Sequence, residues 1–120
     1  MAKKVLVIDD EADMVNLLKS RLEANNYDVA FAFDGDDGLL KAKKEKPDLI
    51  LLDVMMPNVD GYSFVLEIKK MEGLKDTPII VLTAKDEMQD IFKMEGVQDY
   101  IVKPFQSEDL LGRIKKILGE

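Results

Sequence analysis

The sequence contains no cysteine and no histidine, and these two absences exclude several kinds of site. Without cysteine there is no disulfide framework and no redox chemistry at sulfur, which fits a reducing compartment. Zinc prefers cysteine and histidine ligands, so a zinc centre is not expected. A metal bound by this chain would need oxygen ligands.

The sequence also lacks a long apolar segment and an excess of positive charge. Its apolar runs are too short to cross a bilayer, and no apolar signal-peptide region precedes the first predicted strand. We therefore expect a cytoplasmic protein without membrane insertion. The 24 acidic and 17 basic residues give a net charge of -7, which would repel a phosphate backbone, so direct nucleic-acid binding is not expected.

Four short apolar segments are each followed at once by a polar residue. Unbroken runs of this length are typical of strands buried on both faces of a parallel sheet. The segments are Val5 to Ile8, Leu49 to Leu52, Ile79 to Leu82 and Tyr100 to Val102, and the polar residues after them are Asp9 with Asp10, Asp53, Thr83 and Lys103. The carboxyl ends of parallel strands share one edge of the sheet, so Asp10, Asp53, Thr83 and Lys103 are expected to converge there.

The rest of the chain predicts one more strand and five helices. Tyr27 to Phe33 alternates Val29, Phe31 and Phe33, which indicates an edge strand with one buried face. Helices are expected over residues 12–25, 36–45, 60–71, 86–95 and 107–118, with Asp36 or Asp37 and Ser107 as caps. The predicted inward residues of the first two are Met14, Leu17, Leu18 and Leu22, then Leu39, Leu40 and Ala42. Alternating strands and helices over 120 residues predict a single doubly wound α/β domain spanning residues 1–120, with no output domain.

The predicted acidic cluster requires a compensating cation. If Asp10 and Asp53 lie roughly 5 Å apart, their repulsion is about 3 kcal/mol at an effective dielectric of 20, and Asp9 adds to it. Magnesium fits best, because it takes oxygen ligands and is usually held by one or two carboxylates plus phosphate oxygens. The plainer interpretation of Asp9, Asp10 and Glu11 is a solvated helix N-terminus, which favours acids.

Asp53 is the candidate nucleophile. A carboxylate beside a metal can form an acyl phosphate when the metal and a lysine, here Lys103, neutralise the charge of the phosphoryl group. Pro104 restricts the backbone of Lys103 and permits a cis bond that could aim it. The Thr83 hydroxyl would suit a phosphoryl oxygen. Asp53 could instead begin a turn, Thr83 could simply end a strand, and Tyr100 is more often a core aromatic than a switch.

Together, in order and at this spacing, these residues resemble the receiver domain of two-component response regulators. The resemblance covers the whole chain. It is carried by Val5 to Asp10, Leu51 to Pro57, Asp60 with Gly61, Thr83 with Ala84, and Tyr100 to Phe105. It implies a flavodoxin-like fold, that of the chemotaxis regulators, with a five-stranded parallel sheet in the order 2-1-3-4-5 and five helices.

The resemblance also implies a role for each site residue. Asp53 would accept a phosphoryl group from a phosphohistidine on a sensor histidine kinase or a histidine phosphotransfer protein. Mg²⁺ would be bound by Asp10, Asp53 and the backbone carbonyl of Met55, with Asp9 acting through water. Lys103, Thr83 and the Ala84 amide would bind the phosphoryl oxygens, and Tyr100 would follow Thr83 inward.

The implied protein is a signalling phosphoprotein that switches a partner-binding face, and not a metabolic enzyme. It would catalyse only its own phosphorylation and dephosphorylation, and it would act on a downstream protein target through the face formed by the fourth helix, fifth strand and fifth helix. A monomer is expected, with a phosphorylation-dependent dimer left open. The segment from Thr83 to Lys103 is about two residues shorter than is usual in the family, so the fourth helix is expected to be shortened or reoriented.

Three other functions remain open at this point. A binding module that is never phosphorylated would be expected to lack an acid or the lysine, and none is missing. A Mg²⁺-dependent phosphohydrolase with an aspartyl nucleophile would have a second aspartate where Met55 stands. A nucleotide-binding flavodoxin-like protein would need a glycine- or hydroxyl-rich loop after the first strand, where this chain has Asp9, Asp10 and Glu11.

Overall fold

The computed structural model describes residues 2–53, 61–83 and 89–120, and in these ranges strands and helices alternate along the chain. The elements are β1 Lys4–Ile8, α1 Ala12–Ala24, β2 Asp28–Ala32, α2 Gly35–Glu45, β3 Leu49–Asp53, α3 Gly61–Lys69, β4 Ile79–Thr83, α4 Gln89–Met94, β5 Asp99–Val102 and α5 Ser107–Leu118. No helix in the described ranges is both long and apolar enough to span a membrane.

The five strands form one parallel sheet in the order β2-β1-β3-β4-β5. This is the predicted flavodoxin-like topology, and β2 lies at the sheet edge as expected. Parallel strands need crossover connections, and the helices that supply them cover both faces of the sheet. All carboxyl ends of the strands therefore lie along one edge.

The sheet separates two hydrophobic layers, because successive strand residues point to opposite faces. In β1, Leu6 and Ile8 pack into one layer while Val5 and Val7 pack into the other. Every residue of β3 and β4 is buried. The prediction that the unbroken apolar runs are strands covered on both faces is confirmed for β1, β3 and β4, but it was wrong for the edge strand β5, where Val102 is 39% exposed.

The predicted inward faces of the first two helices were partly wrong. Leu17 is 43% exposed and Leu40 is 65% exposed. In α1 the buried stripe is formed by Val15, Leu18 and Leu22. In α2 the buried stripe contains Gly35, Gly38 and Ala42. Because these residues have no side chain or only a methyl group, the helix backbone can lie close to the sheet.

The predicted face of β2 and two predicted caps also need correction. Phe33 lies beyond the end of β2 and is 42% exposed, with its ring edge-on to Phe31 at 5.5 Å. Asp34 caps α2 by accepting a hydrogen bond from the amide of Asp37, so neither Asp36 nor Asp37 is the cap. Ser107 is the first residue of α5 and follows the cap position.

Gly38→Ala is expected to destabilise the fold by about 1 kcal/mol, because a β-carbon there would lie 2.8 Å from Ile8 Cδ1 and 3.2 Å from the Phe64 ring. Both neighbours are fully buried, so they can shift only by repacking the core. Gly112→Ala is the matched control, since outside the backbone of its own helix and its two chain neighbours its β-carbon would meet no atom of the described residues within 4 Å. The control should gain about 0.5–1 kcal/mol from helix propensity. Urea unfolding of both variants measures the two changes in the free energy of unfolding, which should have opposite signs. An increase in stability for Gly38→Ala would contradict the close packing of α2 against the sheet.

Candidate functional site

The carboxyl ends of four strands bring the predicted site residues to one edge of the sheet. Asp9 follows β1, Asp53 ends β3 and Thr83 ends β4. Lys103 follows β5, and its amide donates a hydrogen bond of 2.7 Å to the carbonyl of Thr83. The backbone hydrogen bonds between the strands therefore fix the positions of the α-carbons that carry these side chains.

Four carboxylates are gathered at this edge. One oxygen atom from each of Asp9, Asp10, Glu11 and Asp53 can be chosen so that all four lie within 4.8 Å of one another. Asp9 is 1% exposed and Asp53 is 5% exposed, whereas Asp10 and Glu11 face solvent. At this separation and an effective dielectric of 20, the two buried carboxylates repel each other by about 3 kcal/mol. Such an arrangement favours binding of a cation.

Lys103 supplies part of the required positive charge. Its ammonium nitrogen lies 3.1 Å from Asp9 Oδ2, 3.6 Å from Asp53 Oδ2 and 3.9 Å from Glu11 Oε1. Burial alone would lower the pKa of Lys103, but the charges of Asp53 and Asp9 and the hydrogen bond to Asp9 outweigh it, so the pKa lies above its ordinary value. The lysine therefore stays protonated at neutral pH, and its ammonium lies within 3.9 Å of three of the four carboxylates.

Asp9 and Glu11 both lie within reach of the Lys103 ammonium. Asp9, which is expected to act on the metal through water, makes the shortest contact with Lys103. Its other oxygen, Oδ1, accepts a hydrogen bond of 3.0 Å from the amide of Glu11, which fixes the turn between β1 and α1. Glu11 was not among the predicted site residues. Its position directly after the paired aspartates was the only available signal.

The other two predicted residues that the structure describes lie in β4 and β5. Thr83 is fully buried at the end of β4, and Tyr100 is 6% exposed in β5. The peptide bond between Lys103 and Pro104 is cis, in agreement with the prediction. Thr83 and Tyr100 both have interactions within the molecule, so neither side chain is isolated.

Several sequence predictions fall outside the described residues. Met55, whose carbonyl was expected to bind the metal, lies in 54–60, and Ala84, whose amide was expected to bind phosphate, lies in 84–88. The helix predicted over residues 86–95 is described only from Gln89 to Met94. The expected shortening of that helix therefore stays a prediction.

The chemistry of the donor set fits a magnesium ion. The cluster offers carboxylate oxygens alone, and magnesium prefers oxygen ligands and is commonly held by one or two carboxylates. One ammonium cannot balance four carboxylates, so further positive charge would relieve the remaining repulsion. Of the described residues, Asp10 and Asp53 could hold the ion, and Asp9 and Glu11 are close enough to contribute.

Comparisons with known proteins agree on one family. Residues 5–115 match the family model described as "Response regulator receiver domain". The alkaline phosphatase synthesis transcriptional regulatory protein PhoP of Bacillus subtilis is 46% identical over 120 residues, covering 98% of this chain and 49% of that protein. The chain thus spans about half the length of the curated relatives it matches.

Solved structures give the same result. Chemotaxis protein CheY4 of Vibrio cholerae superposes with a TM-score of 0.90 at 33% identity, covering 98% of this chain and 99% of that one. The receiver domain of the sensor histidine kinase PA1611 of Pseudomonas aeruginosa superposes with a TM-score of 0.91 at 28% identity, with both chains fully covered. That structure contains a magnesium ion coordinated in its active-site cleft.

Proposed function

The chain belongs to the response regulator receiver domains of two-component signal transduction, and from this premise we propose that Asp53 is its phosphoryl acceptor. The observation that carries the proposal is the position of the Asp53 carboxylate. It ends a fully buried strand, is 5% exposed and lies 3.6 Å from the ammonium of Lys103. A carboxylate held in this way is fixed in place and has a cation beside it to receive the charge of a phosphoryl group.

In the proposed reaction, an oxygen of Asp53 attacks the phosphorus of a phosphohistidine. The new bond joins oxygen to phosphorus, the phosphorus–nitrogen bond breaks, and the imidazole nitrogen keeps the electron pair and is protonated. Lys103 pairs with a phosphoryl oxygen, and the Thr83 hydroxyl donates a hydrogen bond to another. Attack of water on the aspartyl phosphate would return the free carboxylate, and this self-dephosphorylation is part of the proposal.

Mg²⁺ is the proposed cofactor. When bound, it would neutralise charge on the transferring phosphoryl group. Asp10 and Asp53 would hold it with the carbonyl of Met55, while Asp9 would contact it through water and also orient Lys103, which it meets at 3.1 Å. Support comes from the all-carboxylate donor set and from the magnesium in the related kinase receiver domain.

The proposed partners follow from the family. The phosphoryl donor would be a sensor histidine kinase or a histidine phosphotransfer protein, and the output would be a downstream protein target that binds the face made by α4, β5 and α5. Thr83, the Ala84 amide and Tyr100 would link the phosphoryl group to that face. A cytoplasmic location, a monomeric resting state and a dimer formed on phosphorylation belong to the same proposal.

Incubation with phosphoramidate, with and without Mg²⁺, followed by intact-mass measurement, tests this function. We expect a single phosphoryl adduct that forms only when Mg²⁺ is present. If no adduct forms while magnesium binding is demonstrated separately, the chain would instead be a binding module that signals without phosphorylation.

Magnesium should also stabilise the folded protein, because it binds a cluster that exists only in the native state. At about 100 times its dissociation constant, Mg²⁺ is expected to raise the free energy of unfolding by about 2.7 kcal/mol. Urea unfolding in MgCl₂ and in NaCl of equal ionic strength measures the difference. Asp10→Asn should reduce it, whereas Asp28→Asn, at the opposite edge of the sheet, should not. An equal effect of the two salts on the wild type would argue against a specific site.

A further inference from the structure

A side chain of α3 is hydrogen-bonded to the end of α4. The hydroxyl of Tyr62, in the first turn of α3, donates to Glu95 Oε2 at 3.0 Å. Glu95 directly follows the last residue of α4. The bond therefore joins two crossover helices that lie next to each other on the same face of the sheet.

A second side chain of α3 reaches the same turn. Lys69 lies seven residues after Tyr62, which is about two helical turns, so both residues lie on one side of α3. Its ammonium donates to the carbonyls of Gly96 at 3.4 Å and Lys75 at 3.3 Å. These bonds are longer and exposed, so we regard the Tyr62–Glu95 bond as the stronger connection.

Three aromatic rings extend from this bond into the core. The ring of Tyr62 meets Phe92 of α4 edge-on, with centroids 5.7 Å apart. Phe92 is fully buried and lies 6.1 Å from the ring of Tyr100 in β5. Aromatic pairs in this distance range are favourable beyond the area they bury. The chain of contacts thus runs from α3 through α4 to Tyr100.

The helix in the middle of this chain of contacts depends on its neighbours. The described part of α4 has six residues, and helices of that length are not stable alone in water. Its large apolar residues Ile91 and Met94 are 45% and 84% exposed, so Phe92 provides most of the buried anchoring surface of this segment. Contacts made by α3 are therefore able to decide where α4 lies.

We propose that Tyr62 is a positioning residue, which holds α4 against Tyr100 through its hydrogen bond to Glu95 and thereby keeps the Tyr100 ring buried. The inference rests on the proposed function, in which Tyr100 helps to link the phosphoryl group to the face made by α4, β5 and α5. It adds α3 to the elements that govern the switch. The hydrogen bond to Glu95, burial and the Glu95 charge raise the pKa of Tyr62, so the phenol stays a donor at neutral pH.

Hydrogen exchange on the unphosphorylated protein tests the proposal. The amides of Glu95, Gly96 and Val97 are hydrogen-bonded to carbonyls of α4. Tyr62→Phe keeps the ring but loses the bond, and is expected to speed their exchange about fivefold, the equivalent of one hydrogen bond. Tyr27→Phe is the matched control, because it also loses a Tyr–Glu bond, of 2.6 Å to Glu120, away from α4. Exchange in Tyr62→Phe no faster than in this control would overturn the proposal.

Variants at Glu95 distinguish loss of the Tyr62–Glu95 hydrogen bond from a general loss of stability. Amide exchange at the end of α4 should be as fast in Glu95→Ala as in Tyr62→Phe, and the double variant should exchange no faster than either single variant. Glu95→Gln should exchange at nearly the wild-type rate, because its amide oxygen still accepts the hydrogen bond. Additive effects of the two single changes would contradict the coupling.

The exposure of Tyr100 gives the direct readout. Nitration by tetranitromethane followed by peptide mapping should increase severalfold at Tyr100 in Tyr62→Phe and stay unchanged at Tyr27. Unchanged nitration of Tyr100, or an equal increase at both tyrosines, would overturn the proposal. All these measurements use unphosphorylated protein, so they remain readable even if Asp53 is not phosphorylated, and the two failures can be told apart.

Discussion

Asp53→Asn is expected to abolish phosphoryl incorporation from phosphoramidate, a loss on the order of 1000-fold or more, because the amide has no carboxylate oxygen to attack phosphorus. The substitution keeps the size of the side chain and removes one negative charge from a cluster of four carboxylates. The fold should therefore survive. We expect its stability without magnesium to be at least that of the wild type.

The control for this variant is a second aspartate without a place in the site. Asp28 begins β2 at the amino edge of the sheet and is exposed, so Asp28→Asn should be phosphorylated at the wild-type rate. Intact-mass time courses of the three proteins at saturating Mg²⁺ give the comparison. Incorporation in Asp53→Asn at a rate near that of Asp28→Asn would place the acceptor at another residue.

Lys103→Met is expected to have the second-largest effect, on both stability and reaction. It leaves the buried carboxylates of Asp9 and Asp53 without their ammonium, which should cost about 3 kcal/mol of folding free energy at low magnesium. It also removes the cation that pairs with the phosphoryl oxygen, so phosphorylation should slow by about 100-fold.

The pH dependence of this loss follows from the raised pKa of Lys103. A group whose pKa is higher in the folded state contributes its full stabilisation below its ordinary pKa, here 10.5, and loses it only as the pH rises through the higher folded value. The stability difference between wild type and Lys103→Met should therefore be constant across neutral pH and shrink only in strong alkali.

A surface ion pair provides the contrast for Lys103→Met. Lys4 and Glu45 are only 2.7 Å apart, but their side chains are 33% and 26% exposed, against 15% for Lys103 and 2% for Asp9. Lys4→Met should therefore cost far less than Lys103→Met. Urea unfolding of both variants measures the two losses, and equal losses would show that burial of the carboxylates does not govern the energetics of the site.

The parts of the fold that could be predicted from sequence are those where a local pattern is compatible with a single structure. Residues 49–52 and 79–82 are apolar without interruption, as a parallel strand covered on both faces requires. Because the strand ends fix the site edge, the convergence of Asp53, Lys103 and their neighbours followed from the same pattern.

The errors arose where tertiary packing chooses between similar residues. Leu17 and Val15 project about 200° apart on α1, on either side of Leu18, and the docking angle of the helix decides that the Val15 side is buried. In α2 the two glycines bring the helix backbone close to the sheet. The glycine side of the helix is therefore buried, and Leu40 faces solvent although it is larger than the buried residues. The Asp34 cap was missed because three acids near the helix start, Asp34, Asp36 and Asp37, satisfy the same preference.

The contact between Tyr62 and Glu95 could not be anticipated for a different reason. The two residues are 33 positions apart, and nothing in the local pattern of α3 or α4 pairs them. Only the sheet order places α3 beside α4. Long-range polar contacts of this kind need the assembled topology, whereas the acids and the lysine of the site are brought together by the strand ends.

The most direct test of the central claim is to locate the phosphoryl group on the wild-type chain. Reduction of an aspartyl phosphate with borohydride converts that residue to homoserine, which peptide mass spectrometry can identify. After Mg²⁺-dependent phosphorylation, we predict homoserine at position 53 and at no other aspartate. Homoserine at Asp9 or Asp10, or a phosphoryl group that resists reduction, would contradict the assignment of Asp53 as the acceptor.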